Sequence, residues 1–212
     1  MPTICPTVLA QDSHDFRTQM ERIAPFARRI QIDLADGNFA PNKTIGMKHV
    51  WLPPDIITDL HVMYQEPAKY LKDFIKLQPH MVIVHAEASG DFEVLAIALH
   101  SAGIKIGVAL LPETPVDSLQ TSIDYVDHVL IFGGTLGHFG GHADLSLLDK
   151  VAKLKSLRPE LEVGWDGGVN DLNIARLAAG GVDVINVGGF IQHAVDPAHA
   201  YVILKSLAEN KT

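Results

Sequence analysis

One cysteine in 212 residues, Cys5, excludes an internal disulfide framework and fits a reducing compartment. Cys5 sits in an apolar run, which suits a buried, inert thiol. Apolar runs are short as well: none approaches the ~20 residues of a membrane-spanning helix. The start, Met-Pro-Thr-Ile-Cys-Pro-Thr, has no basic region followed by a long apolar run, so no signal peptide is expected. Positive charge is in deficit, with 17 Lys and Arg against 25 Asp and Glu, a net charge of −8. That balance argues against a nucleic-acid or anionic-membrane binder. A small anionic ligand stays open, because backbone amides can hold a phosphate. No linker, composition shift or low-complexity segment divides the chain, so a single domain over 1–212, cytoplasmic and soluble, is expected.

What the chain does have is alternation. Short apolar runs read as strands over 3–9, 29–34, 56–63, 81–85, 105–110, 126–132, 161–164 and 182–187. Helical patterns fall at 13–23, 67–77, 91–102, 116–123, 145–157 and 171–179, near Phe190, and at 197–207. Strands alternating with crossover helices imply a parallel sheet, and a count of eight points to a closed (β/α)8 TIM barrel, an α/β fold. A doubly wound open sheet is the alternative, but Ala10-Gln11-Asp12-Ser13 follows the first strand where the usual glycine fingerprint would stand.

The stretch Arg29 to Phe39 is the most informative. Ile30, Ile32 and Leu34 alternate with Gln31 and Asp33, and Asp36-Gly37 then breaks the strand. Two polar side chains on one strand face suit either a site or a solvated edge. In a barrel, function sits at the C-terminal strand ends. Those ends carry Thr7, Gln31, Asp33, His61, Met63, His85, Glu87 and Asp166, with Gly140-Gly141, Gly167-Gly168 and Gly188-Gly189 behind strands six to eight. Carboxylates on strands two and seven face each other across a closed barrel. Such a pair can remove a proton from one face of a carbon and return it to the other. His61 between them would complete an Asp33–His61–Asp166 set for a divalent metal such as zinc. The glycines offer free N–H groups to a phosphate.

Several segments together resemble the ribulose-phosphate 3-epimerase family over essentially the full length. They are Cys5-Pro6-Thr7-Val8-Leu9-Ala10, Ile32 through Asn42, Asp59-Leu60-His61-Val62-Met63, Val84-His85-Ala86-Glu87, Phe139-Gly140-Gly141 and Glu162 through Asn170. The resemblance implies Asp33 and Asp166 as acid–base pair and metal ligands, with His61 as a further ligand. It also implies a phosphate and sugar site lined by Gly140, Gly141, Gly167, Gly168, Gly188 and Gly189.

The departures cluster in the same pocket. Gln31 stands where the family has a histidine ligand, and a carboxamide oxygen favours harder ions over zinc. Thr7 replaces a serine, Ala35 a methionine, Asn38 a histidine, and Gly189 a serine. The sixth-strand loop reads Gly133-Gly134-Thr135-Leu136-Gly137-His138-Phe139 in place of Asn-Pro-Gly-Phe, which brings His138 near the expected phosphate. The expected substrate contacts are thus Thr7, His61, His138, Phe139 and the glycines. The expected cofactor is a divalent metal (zinc, iron, manganese or magnesium) held by Asp33, His61, Asp166 and Gln31. Partners expected are a small phosphorylated ketose and further copies of the chain, with neither nucleic acid nor membrane. His85 and Glu87 read as a structural pair, and Trp165 as core. The function expected is epimerisation of a ketose phosphate at C3. The alternatives are a barrel that binds a sugar phosphate without turnover or uses another one such as a hexulose phosphate, and a related decarboxylase or lyase. The last would carry a lysine shortly after the strand-two aspartate, which Asp33-Leu34-Ala35-Asp36 lacks.

Overall fold

The computed structural model describes residues 1–209. They form a closed barrel in which eight parallel strands pair in chain order and the last pairs with the first. The strands are β1 Thr3–Val8, β2 Arg29–Ala35, β3 Ile57–Met63, β4 Met81–His85, β5 Lys105–Leu110, β6 His128–Phe132, β7 Glu162–Asp166 and β8 Val184–Val187. The helices are α1 Ser13–Ile23, α2 Leu71–Leu77, α3 Phe92–Ser101, α4 Leu148–Leu157, α5 Ile174–Ala179, α6 Gly189–Gln192 and α7 Pro197–Glu209. None of them is long and apolar enough to cross a membrane. Local signals start the helices: the Asp12 carboxylate accepts from the N–H groups of His14 and Asp15, and Asp91 accepts from Val94.

Alternation along the strands sorts side chains between two cores. Ile30, Ile32 and Leu34 of β2, with Leu60 and Val62 of β3, pack outward into the layer between sheet and helices, which also takes the fully buried Trp165. Inside the barrel, Met81, Ile83, Ala109 and Leu130 make a small apolar plug. β2 is buried along its whole length with a partner on each side, so the solvated-edge reading of Gln31 and Asp33 is overturned. The N-terminal mouth is closed by charge: Arg29 reaches Asp59 at 2.6 Å and Glu162 at 2.8 Å, while His80 and His128 bond the same two carboxylates, each at 2.8 Å.

Two connections differ from strict strand–helix alternation. Between β2 and β3 the chain runs as a long loop with a 3₁₀ turn at Met47–His49. Between β5 and β6 the helix expected over 116–123 is replaced by 3₁₀ turns at Val116–Leu119 and Ile123–Tyr125. Ser118 and Ser122 donate back to the carbonyls of Pro115 and Leu119, which competes with a continuous helix. β7 also runs further than expected, so that Asp166 is its last residue and pairs in register with Phe132 and Asn186.

Candidate active site

Asp33 and His61 are register partners on β2 and β3, which sets both side chains inside the barrel at the same height. His61 Nδ1 lies 2.9 Å from Asp33 Oδ1 and 3.8 Å from Asp166 Oδ2, which reaches in from β7. Gln31 ties the two carboxylates together: its Nε2 donates to Asp33 Oδ1 at 2.9 Å and to Asp166 Oδ2 at 2.6 Å. Gln31 and His61 are almost completely buried. Burial raises the pKa of Asp33, with hydrogen bonds from Gln31 and Thr7 in opposition. Burial and then the charge on Asp33 raise that of Asp166. Burial drives His61 the other way, down to about 4, so its imidazole is neutral. Two anions held this close need a shared proton or a cation between them.

The turn after β2 hangs on Asp36, whose carboxylate accepts from the N–H groups of Asn38, Phe39 and Gln65. It carries the Phe39 ring to 4.7 Å from that of His85, while the Phe132 ring lies 5.4 Å from that of His61. His85 continues the cluster inward, its Nε2 standing 2.9 Å from His61 Nε2.

Above the carboxylates opens a cleft of about 310 Å³. Thr7, Asp33, His61, His138, Phe139, Gly140, Gly141, Asp166, Gly167, Gly168, Gly188 and Gly189 all line it, while Gln31 sits beneath, bonded to both acids. Three of the glycines are sterically required, Gly168 among them, where φ is +65° and a Cβ would stand 2.3 Å from the Ala143 nitrogen. At Gly167, φ is +120° and a Cβ would stand 2.2 Å from the Gly134 nitrogen; at Gly188 it would stand 2.5 Å from the Phe139 ring. Among the described residues Gly140, Gly141 and Gly189 donate no backbone hydrogen bond, so their N–H groups are free for an anion. His138 stands at the rim rather than over the acids, its Nε2 2.9 Å from Asn42 Nδ2.

Other lining residues went unforeseen. Leu9, Phe132 and His193 shape the walls beside the expected Met63, and Asn186 adds a 2 % exposed carboxamide whose nitrogen has no partner among the described residues. Asn186 had a legible signal, a polar residue among Val184, Ile185 and Val187. His193 had none, because it reaches the cleft only through the short α6. Glu87 adds a link: its Oε2 lies 3.4 Å from His85 Nδ1.

One ligand atom from each of Asp33, His61 and Asp166 lies within 4.8 Å of the others. Two carboxylate oxygens and an imidazole nitrogen suit zinc or a harder divalent ion, and the crowding of a buried and a partly buried acid is the charge problem that such an ion relieves. Gln31 turns its amide nitrogen to the acids; turned over, the same carboxamide presents Oε1 to that point.

A parallel (β/α)8 barrel with opposed acids beneath a glycine-rimmed cleft defines a class, that of small-molecule enzymes built at the C-terminal mouth of the barrel. Within it the chain belongs to the ribulose-phosphate 3-epimerase family, whose sequence profile matches residues 3–192. It is 30% identical over 201 residues to the ribulose-phosphate 3-epimerase of Helicobacter pylori, covering 91% of this chain and 92% of that one. Among solved structures, KGPDC from Streptococcus mutans superposes with a TM-score of 0.78 at 15% identity, covering 99% of this chain and 98% of that one. The 3-hexulose-6-phosphate synthase of Salmonella typhimurium gives 0.74 at 15%, covering 99% and 100%. At that identity the two structures establish the shared barrel alone.

Proposed function

We propose that the chain epimerises a ketose phosphate at C3, with Asp33 and Asp166 as the acid–base pair. The observation that carries this reading is the placement of two carboxylates, the buried Asp33 of β2 and the partly buried Asp166 of β7, both beside His61 Nδ1 at the floor of the cleft. With the substrate's C3 between them, Asp33 takes the proton from one face and leaves a planar enediolate. Asp166 returns a proton to the opposite face, and the roles exchange in the reverse direction. A divalent ion held by Asp33, His61 and Asp166 would polarise the carbonyl and offset the developing charge. Gln31 holds the two carboxyl groups in one orientation. The phosphate is read onto the free N–H groups of Gly140, Gly141 and Gly189, beside Gly167, Gly168 and Gly188, with Thr7, Phe139 and the rim residue His138 as further contacts.

Ribulose 5-phosphate is the substrate to test first, on protein stripped of metal and resupplied with zinc, iron, manganese or magnesium. Xylulose 5-phosphate formation is the expected result. Asp33→Asn and Asp166→Asn each lower kcat by ~10²–10⁴-fold with the fold retained, the range of general acid–base catalysis. Full turnover in both variants sinks the assignment. A second reading, another phosphorylated ketose such as a hexulose phosphate or binding without turnover, is favoured by one observation: Gln31 donates to both acids at once and so takes up one acceptor site on each. Thermal stabilisation by the sugar phosphate with no isomerised product would select it.

A further inference from the structure

Behind His61 runs a chain of polar groups that the acid–base reading leaves unused. His61 Nε2 stands 2.9 Å from His85 Nε2, both rings being almost wholly buried. His85 Nδ1 faces Glu87 Oε2 at 3.4 Å, an ion-pair contact rather than an aligned hydrogen bond, and neither buried atom has a hydrogen-bond partner among the described residues. The other carboxylate oxygen, Oε1, is pinned: it accepts from the Leu111 N–H at 3.1 Å and from the Thr114 hydroxyl. Glu87 therefore has no freedom over which oxygen it offers His85.

Proton positions follow in order from that constraint. Glu87 is an acceptor, so His85 carries its proton on Nδ1. His85 Nε2 is then a lone pair, and the His61 nitrogen facing it must be the protonated one. That puts the His61 proton on Nε2 and leaves Nδ1 bare, 2.9 Å from Asp33 Oδ1. A bare nitrogen at that distance from a carboxyl oxygen demands either a proton on the oxygen or a cation between the two.

We propose that Glu87 and His85 are positioning residues that fix His61 in its Nε2–H tautomer, holding Nδ1 open towards Asp33 and Asp166 for a divalent cation. This rests on the reading of Asp33, His61 and Asp166 as a cation site. A carboxylate ordering a ligand histidine is a common device; here the order passes through a second imidazole.

Glu87→Gln is the discriminating variant. Leu111 and Thr114 keep the amide oxygen where Oε1 was, so the amide NH2 takes the place of Oε2 and donates to His85 Nδ1. Every proton then moves over: His85 becomes Nε2–H, and His61 becomes Nδ1–H with its ligand position blocked. The experiment is long-range ¹H–¹⁵N correlation on histidine-labelled, metal-free protein, paired with zinc affinity by chelator competition. Expected are an Nε2–H His61 in the parent chain, an Nδ1–H His61 in E87Q, and a ~10–100-fold loss of zinc affinity, the usual cost of losing an outer-shell partner. An Nδ1–H His61 in the parent, or an E87Q protein with tautomer and affinity unchanged, overturns the proposal. The parent spectrum decides alone if E87Q does not fold. Tautomers as expected with no zinc bound by the parent would overturn the cation site and leave the proton order standing.

Discussion

Gln31 stands where the family resemblance implies a histidine ligand, and its geometry says what a carboxamide does there. As built, the carboxamide is a hydrogen-bond donor to both acids, a role that an imidazole can fill towards only one of them per nitrogen. For the proposed cation, a carboxamide at that corner would be a weaker or harder-ion ligand than an imidazole. Replacing it, Gln31→His, is expected to tighten zinc binding and to shift metal preference towards zinc, read by chelator competition against manganese. Unchanged affinity would mean that this corner takes no part in metal binding. Thr7 lies one strand over, in register with Gln31, and keeps a hydroxyl near Asp33 despite its extra methyl group.

At the scale of elements, β2 does two jobs with one alternating pattern. Its outward residues anchor the strand in the helical layer, and its inward residues supply a charge plug at one end and the candidate site at the other. Arg29 is the centre of the plug, 6% exposed and shared between Asp59 and Glu162. Arg29→Met leaves Asp59 buried with only His80 for company, and the expected loss is ~3–5 kcal/mol in urea unfolding, the range for breaking a buried ion pair. Glu162 gives the plug its pH signature. Although burial pushes its carboxyl up, hydrogen bonds from His128 and Arg29 hold it well below the usual carboxylate range. The unfolded chain takes up this proton first on acidification. The stabilisation is therefore complete above pH ~4.5, its ordinary value, and is lost as pH falls below it. Glu162→Gln should flatten the acid limb of stability against pH relative to the parent; an unaltered limb would refute this role.

For the whole molecule, closure of the barrel brings together what one strand could not. Asp33 and Asp166 are forced into proximity in a site that raises the pKa of both, so the metal-free fold keeps a proton that the unfolded chain has released. Stability from this source is fully present below pH ~3.8, the ordinary aspartate value, and is lost as pH rises from there through the folded-state values. A cation in the site replaces that proton and removes the loss. Melting temperature in chelator should thus fall between pH 4 and neutrality relative to an Asp33→Asn variant, and zinc should restore it most at the neutral end. Equal melting with and without zinc at neutral pH would count against the cation site.

Much of this was open to reading in the chain itself. Period-two alternation at Ile30, Ile32 and Leu34, against Gln31 and Asp33, marks a strand with a polar inward face. Eight strand patterns, most followed by a helix, point to a parallel sheet and favour its closure into a barrel, because each crossover must return the chain to the same sheet end. Glycines at the ends of β6, β7 and β8 mark the places where backbone must come close, as Gly167 does to Gly134. Contacts that depend on closure were not written locally. Gln31 and Asp166 lie 135 positions apart and bond at 2.6 Å only because β7 and β8 curl round to meet β1 and β2. Nor does spacing say that His85, a residue that reads as half of a structural pair, abuts His61. That contact comes from the stagger of β3 and β4, and with it the path from Glu87 to the centre of the cleft. Local sequence chooses which side chains point inward; the shear of the closed sheet chooses which of them touch.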